Sequence, residues 1–132
     1  MINFIIVSHG KMAEGIVDAI KLIVGNQTGV EMISLEEHQS IEDLEEKIEV
    51  AIKELLKNST GVLIFADLFG ASPFNMAAKA AVKYKSVEVV TGVNLPMVIE
   101  SIMQRGNYSI SEIAREARES GKQGIRLLSD LI

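Results

Sequence analysis

Short runs of consecutive apolar residues alternate along the chain with segments in which apolar residues recur every three or four positions. Ile2-Asn3-Phe4-Ile5-Ile6-Val7-Ser8 has the first pattern and predicts a strand. Residues 12–24 place Met12, Ile16, Ala19, Ile20 and Ile23 at helical spacing, and Gly25-Asn26 supplies a stop. Residues 30–35 predict a second strand. Ser40 then caps a helix whose inner stripe is Ile41, Leu44, Ile48, Ile52 and Leu55, with Asp43–Lys47 and Glu49–Lys53 paired at i,i+4 on its outer face. Gly61-Val-Leu-Ile-Phe-Ala66 is continuously apolar, as a central strand covered on both faces should be. Ser72-Pro73 predicts the opening of a third helix, the serine as cap and the proline at the first helical position. Val87–Thr91 predicts a fourth strand, and a short helix starts at Asn94 or Leu95. Ser109-x-x-Glu112 is a capping box for a last helix ending near Gly121, and Gly124–Leu128 predicts a short fifth strand.

This β-α-β-α-β-α-β-α-α-β order implies an α/β fold: an open, doubly wound, mostly parallel five-stranded sheet with helices on both faces and right-handed crossovers. No linker, repeat or low-complexity segment interrupts it, so residues 1–132 are expected to form one domain. In the common order 2-1-3-4-5, strands one and three are neighbours and the topological switch point lies between their carboxyl ends. Those ends carry His9 and Asp67.

Composition narrows the chemistry. Apolar residues are 48% of the 132 and charged residues 23%, an ordinary globular balance. A net charge of −5 and a pI near 5.0 argue against a nucleic-acid binder, which needs a basic face. The absence of cysteine excludes disulfides, thiolate nucleophiles and cysteine-ligated metals. No apolar stretch approaches membrane-spanning length and the start of the chain has no leader pattern, so a cytoplasmic location is expected.

His9 is one of only two histidines, and a neutral imidazole there suits transient uptake of a proton, metal or phosphoryl group. A histidine that merely caps a turn satisfies the same local pattern. The second loop shifts the balance. A carboxylate at Asp67, hydrogen-bonded to one ring nitrogen, fixes the tautomer and leaves the other nitrogen bare. The loop Leu68-Phe69-Gly70-Ala71-Ser72-Pro73 runs into a helix start, where free amides and the helix dipole suit an anion. Gly70 permits close backbone approach, Ser72 either caps the helix or reaches the anion, and Pro73 has no N–H to offer.

Val7-Ser8-His9-Gly10 together with Ala66-Asp67-Leu68-Phe69-Gly70-Ala71-Ser72-Pro73-Phe74-Asn75 resembles the mannose-family enzyme IIA domain of the bacterial sugar phosphotransferase system. The resemblance extends through Thr91-Gly92-Val93-Asn94-Leu95-Pro96 to the chain end. It implies that His9 is phosphorylated by the phosphocarrier protein HPr and passes the group to a histidine of a cognate enzyme IIB, with membrane IIC and IID components downstream. It also implies that Asp67 orients His9, that Gly10, Leu68, Phe69, Gly70, Ala71 and Ser72 line the phosphate site, and that no metal or organic cofactor is needed. Finally, it implies a homodimer in which the short, antiparallel last strand is exchanged. The chain departs from many relatives at Leu68, where they have Thr, and at Ala71, where they have a second Gly.

The remaining conspicuous residues have blander expectations. His38 lies in a polar connection and should be exposed. Met12, Met97 and Met103 are gap fillers or mobile contacts at a partner surface. Lys11 either assists the site or is a solvated lysine, and Arg115, Arg118 and Arg126 are too scattered to form a patch. A strand-Arg-His-Gly phosphatase or mutase would want Arg where Ser8 stands, and a chelatase-like enzyme would want further ligands. A dihydroxyacetone kinase phosphotransfer subunit and a non-catalytic anion-binding module stay as alternatives.

Overall fold

A computed structural model describes all 132 residues. Its first strand, β1 (Ile2–His9), is buried from Ile2 to Ser8, because it lies inside the sheet with a parallel neighbour on each side. The other strands are β2 (Val30–Leu35), β3 (Gly61–Ala66) and β4 (Val87–Thr91), in the order β2-β1-β3-β4, all parallel. Five helices connect or follow them: α1 (Met12–Val24), α2 (Ile41–Leu56), α3 (Ser72–Ala81), α4 (Leu95–Met103) and α5 (Ile110–Gln123). Alternate residues of the two central strands feed two cores. Ile2, Phe4, Ile6, Leu63 and Phe65 pack under α1, α4 and α5. Ile5, Val7, Val62, Ile64 and Ala66 pack under α2 and α3. Each large side chain enclosed this way contributes about 1.5–3 kcal/mol. No helix is long and apolar enough to cross a membrane.

The fold class and the order of the first four strands match the expectation, but the fifth strand is absent. Helix α5 runs through Gly121 to Gln123 and is followed by Gly124 and a 3₁₀ turn at Leu128–Asp130, leaving an exposed tail. Gly121 is a close-contact glycine rather than a helix stop. A Cβ there would lie 2.6 Å from Met97 Cε, and one at Gly124 would lie 2.5 Å from Pro96 Cγ. These glycines let α5 press on α4, and the residues after Gln123 turn into the 3₁₀ segment instead of pairing with the sheet.

Four further corrections concern the helices. In α1 the buried residues are Ala13, Ile16 and Ile20, while Met12 and Ile23 of the expected stripe are exposed. In α2, Leu44, Ile48, Ile52 and Leu55 are buried as expected, but Ile41 stays exposed in the first turn. Neither Asp43–Lys47 nor Glu49–Lys53 forms a pair; Glu45 and Glu49 reach instead toward α3 and the turn that follows it. Glu45 pairs with Lys79 at 3.3 Å, and Glu49 pairs with Lys83 and accepts from Tyr84 Oη at 3.1 Å. Ser72 is the first residue of α3 and not its cap. Ala71 holds the cap position, so Pro73 falls second in the helix, where its missing N–H is still harmless.

The amino end of the sheet is closed by Arg105, which is buried. Its Nε donates to Ile2 O at 3.0 Å, Nη1 to Thr28 O at 2.9 Å and Nη2 to Asn3 Oδ1 at 2.9 Å, with the guanidinium 5.1 Å from the Phe4 ring centre.

Candidate active site

At the carboxyl edge, Val7 pairs with Ala66, so the next residues of β1 and β3 leave the sheet side by side. His9 Nδ1 lies 2.7 Å from Asp67 Oδ2, and the same oxygen accepts the His9 backbone N–H at 2.7 Å. Asp67 Oδ1 accepts the Leu68 N–H at 2.8 Å. The His9 side chain is 50% exposed and that of Asp67 only 9%. Burial on its own raises the Asp67 carboxyl. Hydrogen bonds from the His9 amide and ring, attraction to the ring and the Leu68 amide outweigh it and hold the group below the ordinary carboxylate value. An ionised Asp67 has only acceptors to offer, so the ring faces it with Nδ1–H. In the neutral ring Nε2 is then the bare nitrogen, on a side chain that is half exposed.

The flanking turns are built to present that nitrogen. Ser8 Oγ, fully buried, accepts the Ala13 N–H at 2.8 Å and ties the start of α1 to the end of β1, while the cap residue Lys11 provides no side-chain bond. Gly10 adopts φ 54°, and its N–H donates to Leu35 O at 2.9 Å. In the second loop Gly70 adopts φ 81°, a left-handed conformation that favours glycine. Asn75 Nδ2 reaches back to Gly70 O at 2.9 Å. Phe69 leans on Phe74 at 5.2 Å between ring centres.

The structure divides the expected phosphate-lining residues. The amides of Gly10, Leu68 and Ala71 are already taken, by Leu35 O, Asp67 Oδ1 and Leu68 O at 3.3 Å. Those of Phe69, Gly70 and Ser72, and the Ser72 hydroxyl, make no bond within the chain and stand at the opening turn of α3. The first turn of α1 begins beside His9 and offers further unused amides at Lys11 and Met12. Two helix N-termini thus converge on one strand edge, a site suited to an anion. Ser8 and Asn75, which position the two turns, carry roles that sequence reasoning missed. Only the spacing of each to a turn or helix start could have signalled them. His38 is exposed, as expected, in the connection that follows β2, and adopts φ 69°. Met97 is buried, whereas Met12 and Met103 are exposed. No group of three or more His, Asp or Glu side chains is placed to hold a metal ion.

Comparison with known proteins gives this geometry a lineage. Residues 3–118 match the family described as PTS system fructose IIA component. The mannose-specific EIIAB component of the phosphotransferase system of Escherichia coli K12 is 34% identical over 128 residues, 96% of this chain, which spans 39% of that protein's length. The sorbose-specific EIIA component of Lacticaseibacillus casei is 32% identical over 84% of this chain and 79% of its own. Among solved structures, the EIIA component from Streptococcus agalactiae superposes with a TM-score of 0.87 at 29% identity, covering 98% of this chain and 99% of that one. These matches bear out the resemblance carried by the two motifs: the chain belongs to the EIIA family of the sugar phosphotransferase system.

Proposed function

We propose that this chain is a phosphocarrier domain that accepts a phosphoryl group on His9 Nε2 from phosphorylated HPr and passes it to a histidine of a cognate enzyme IIB, in the cytoplasm, for sugar uptake through membrane IIC and IID components. One observation carries this reading: Asp67 engages Nδ1, so the exposed Nε2 is free to attack. In the transfer, the Nε2 lone pair forms a bond to phosphorus as the P–N bond to the donor imidazole breaks in line. His9 keeps its Nδ1 proton throughout. Its ring becomes cationic, the donor ring returns to neutral, and the Asp67 carboxylate stabilises the charge that develops beside it. The unused amides of Phe69, Gly70 and Ser72 and the Ser72 hydroxyl bind the phosphoryl oxygens. No metal or organic cofactor enters, because the donor is already a phosphoramidate.

Incubation with phosphoenolpyruvate, enzyme I and HPr should label His9 with an acid-labile, base-stable phosphoryl group. Labelling that persists in His9→Ala and disappears in His38→Ala would overturn the assignment. The working unit is proposed to be a homodimer in which the tail pairs with a partner's sheet. The support is the juxtaposition, in a single copy, of an unpaired β4 edge and an exposed tail carrying Ile125, Leu127, Leu128, Leu131 and Ile132. Truncation after Lys122 should weaken self-association in sedimentation equilibrium. A full-length chain that stays monomeric at high micromolar concentration would remove the dimer from the proposal.

A further inference from the structure

The opening of α3 sorts its donors from its acceptors. The cap residue is Ala71, whose side chain can take no helix amide, so the Ser72 and Phe74 N–H groups make no bond within the chain. The carbonyls just before the helix are occupied, and one residue occupies two of them. Asn75 N–H donates to Ala71 O at 2.9 Å, and Asn75 Nδ2 donates to Gly70 O at 2.9 Å. In a planar trans peptide the C=O and the N–H that follows it point in opposite directions. Holding Ala71 O along the helix therefore turns Ser72 N–H out of its mouth, at the strand edge that carries Asp67 and His9. The first bond belongs to any α-helix, whereas the second needs the asparagine side chain.

The Gly70-Ala71 peptide has little else to hold it. Gly70 sits at φ 81°, and a Cβ there would meet nothing within 4 Å, so packing does not restrain the residue. The other bond on this plane, Ala71 N–H to Leu68 O, is 3.3 Å long and lies beyond the usual range of about 2.7–3.2 Å. Asn75 Nδ2 supplies the tighter restraint. In sequence the Gly70 carbonyl stands between two unused amides, those of Gly70 and Ser72. A carbonyl oxygen swung into their midst would repel phosphoryl oxygens instead of binding them. The Asn75 bond is exposed, so water competes for its groups and it contributes little to the stability of the fold. Its effect is confined to the loop.

We propose, resting on the phosphocarrier reading above, that Asn75 is a positioning residue for phosphoryl transfer. Its side-chain amide holds the Gly70 carbonyl away from the incoming group, and the loop then meets the phosphoryl oxygens with donors already in place. The effect is on the transfer step, where charge gathers on those oxygens, and not on the encounter with the donor protein.

The test uses Asn75→Ala, which removes the donor, and Asn75→Asp, which keeps its shape and puts an acceptor in its place. Transfer is measured from phosphorylated HPr and from phosphoramidate. In the latter, the Nε2–P bond forms as the P–N bond of phosphoramidate breaks and ammonia leaves. Both variants should lose about tenfold in kcat with either donor, less than the loss of a direct oxyanion donor causes. The KM for phosphorylated HPr should stay nearly unchanged. Both should melt close to the wild-type temperature, the aspartate being favoured near a helix N-terminus. Phosphorylation should shift the Gly70 and Ser72 amide resonances of the wild type strongly and those of both variants less. Wild-type kcat in both variants would overturn the role of Asn75 and leave the phosphocarrier reading intact. A raised KM at unchanged kcat would also overturn it, and so would wild-type amide shifts in both variants. If neither donor labels wild-type His9, the phosphocarrier reading falls and takes this role with it.

Discussion

The two ends of β1 each carry a polar side chain tied to distant parts of the chain, and they differ in what is left over. At the amino end Arg105 uses Nε, Nη1 and Nη2 on Ile2 O, Thr28 O and Asn3 Oδ1, lays its face on Phe4 and is buried. At the carboxyl end His9 gives its amide and Nδ1 to a single oxygen of Asp67 and keeps Nε2 uncommitted at the surface. Both arrangements cross-link the sheet. Only the second has a reactive atom in reserve beside unused amides, and that reserve separates a site from a fastening.

His9→Ala gives the widest contrast. It should abolish acid-labile phosphorylation while leaving the melting temperature almost unchanged, as measured by labelling and calorimetry on one preparation. Arg105→Met should do the reverse. It strands Ile2 O, Thr28 O and Asn3 Oδ1 without their donor and should cost about 3 kcal/mol, lowering the melting midpoint by about 10 °C with transfer kinetics preserved at low temperature. A wild-type midpoint would mean that the amino end is not held by this residue.

Asp67→Asn sharpens the comparison from within the site. The amide can turn an N–H toward Nδ1 and favour the wrong tautomer, so transfer from phosphorylated HPr should slow by about 10- to 100-fold, with little loss of stability. Rapid-quench kinetics decide it, and an unchanged rate would remove Asp67 from the mechanism. The smallest effect is on acid stability. The Asp67 carboxyl is held below its ordinary value, so its contribution is fully present above the unfolded carboxylate pKa of about 3.9 and is lost as pH falls through the depressed folded value. Urea titrations between pH 6 and pH 3 should show a shallower acid decline for Asp67→Asn than for wild type, with the curves converging only below about pH 4.

The carboxyl end was far more legible in the sequence than the amino end, for a physical reason. Apolar runs at 4–7 and 61–66 mark central parallel strands, and the order 2-1-3 puts the residues that follow them side by side. His9 and Asp67 therefore meet through topology alone. Arg105 meets the Ile2 carbonyl and the Asn3 side chain across more than a hundred residues, and no pattern announces that. Helix α1 was illegible in a different way. Its apolar positions are numerous enough to define two adjacent stripes, and periodicity cannot choose which one a sheet will bury. Ala13, small and easily overlooked, lies inside, whereas Met12 lies outside. Glycine is equally ambiguous, since a helix stop and a close helix contact call for the same residue, and at Gly121 it is the contact.

The central place of β1 also sets a timetable. It is synthesised before both of its neighbours, residues 30–35 and 61–66. Until those arrive, the nascent chain carries an apolar strand with both edges open, and that is the interval in which a translating ribosome has most to gain from a chaperone. His9 is made before its carboxylate partner, which follows 58 positions later. The growing chain cannot hold an oriented phosphoryl acceptor until β3 has docked beside β1.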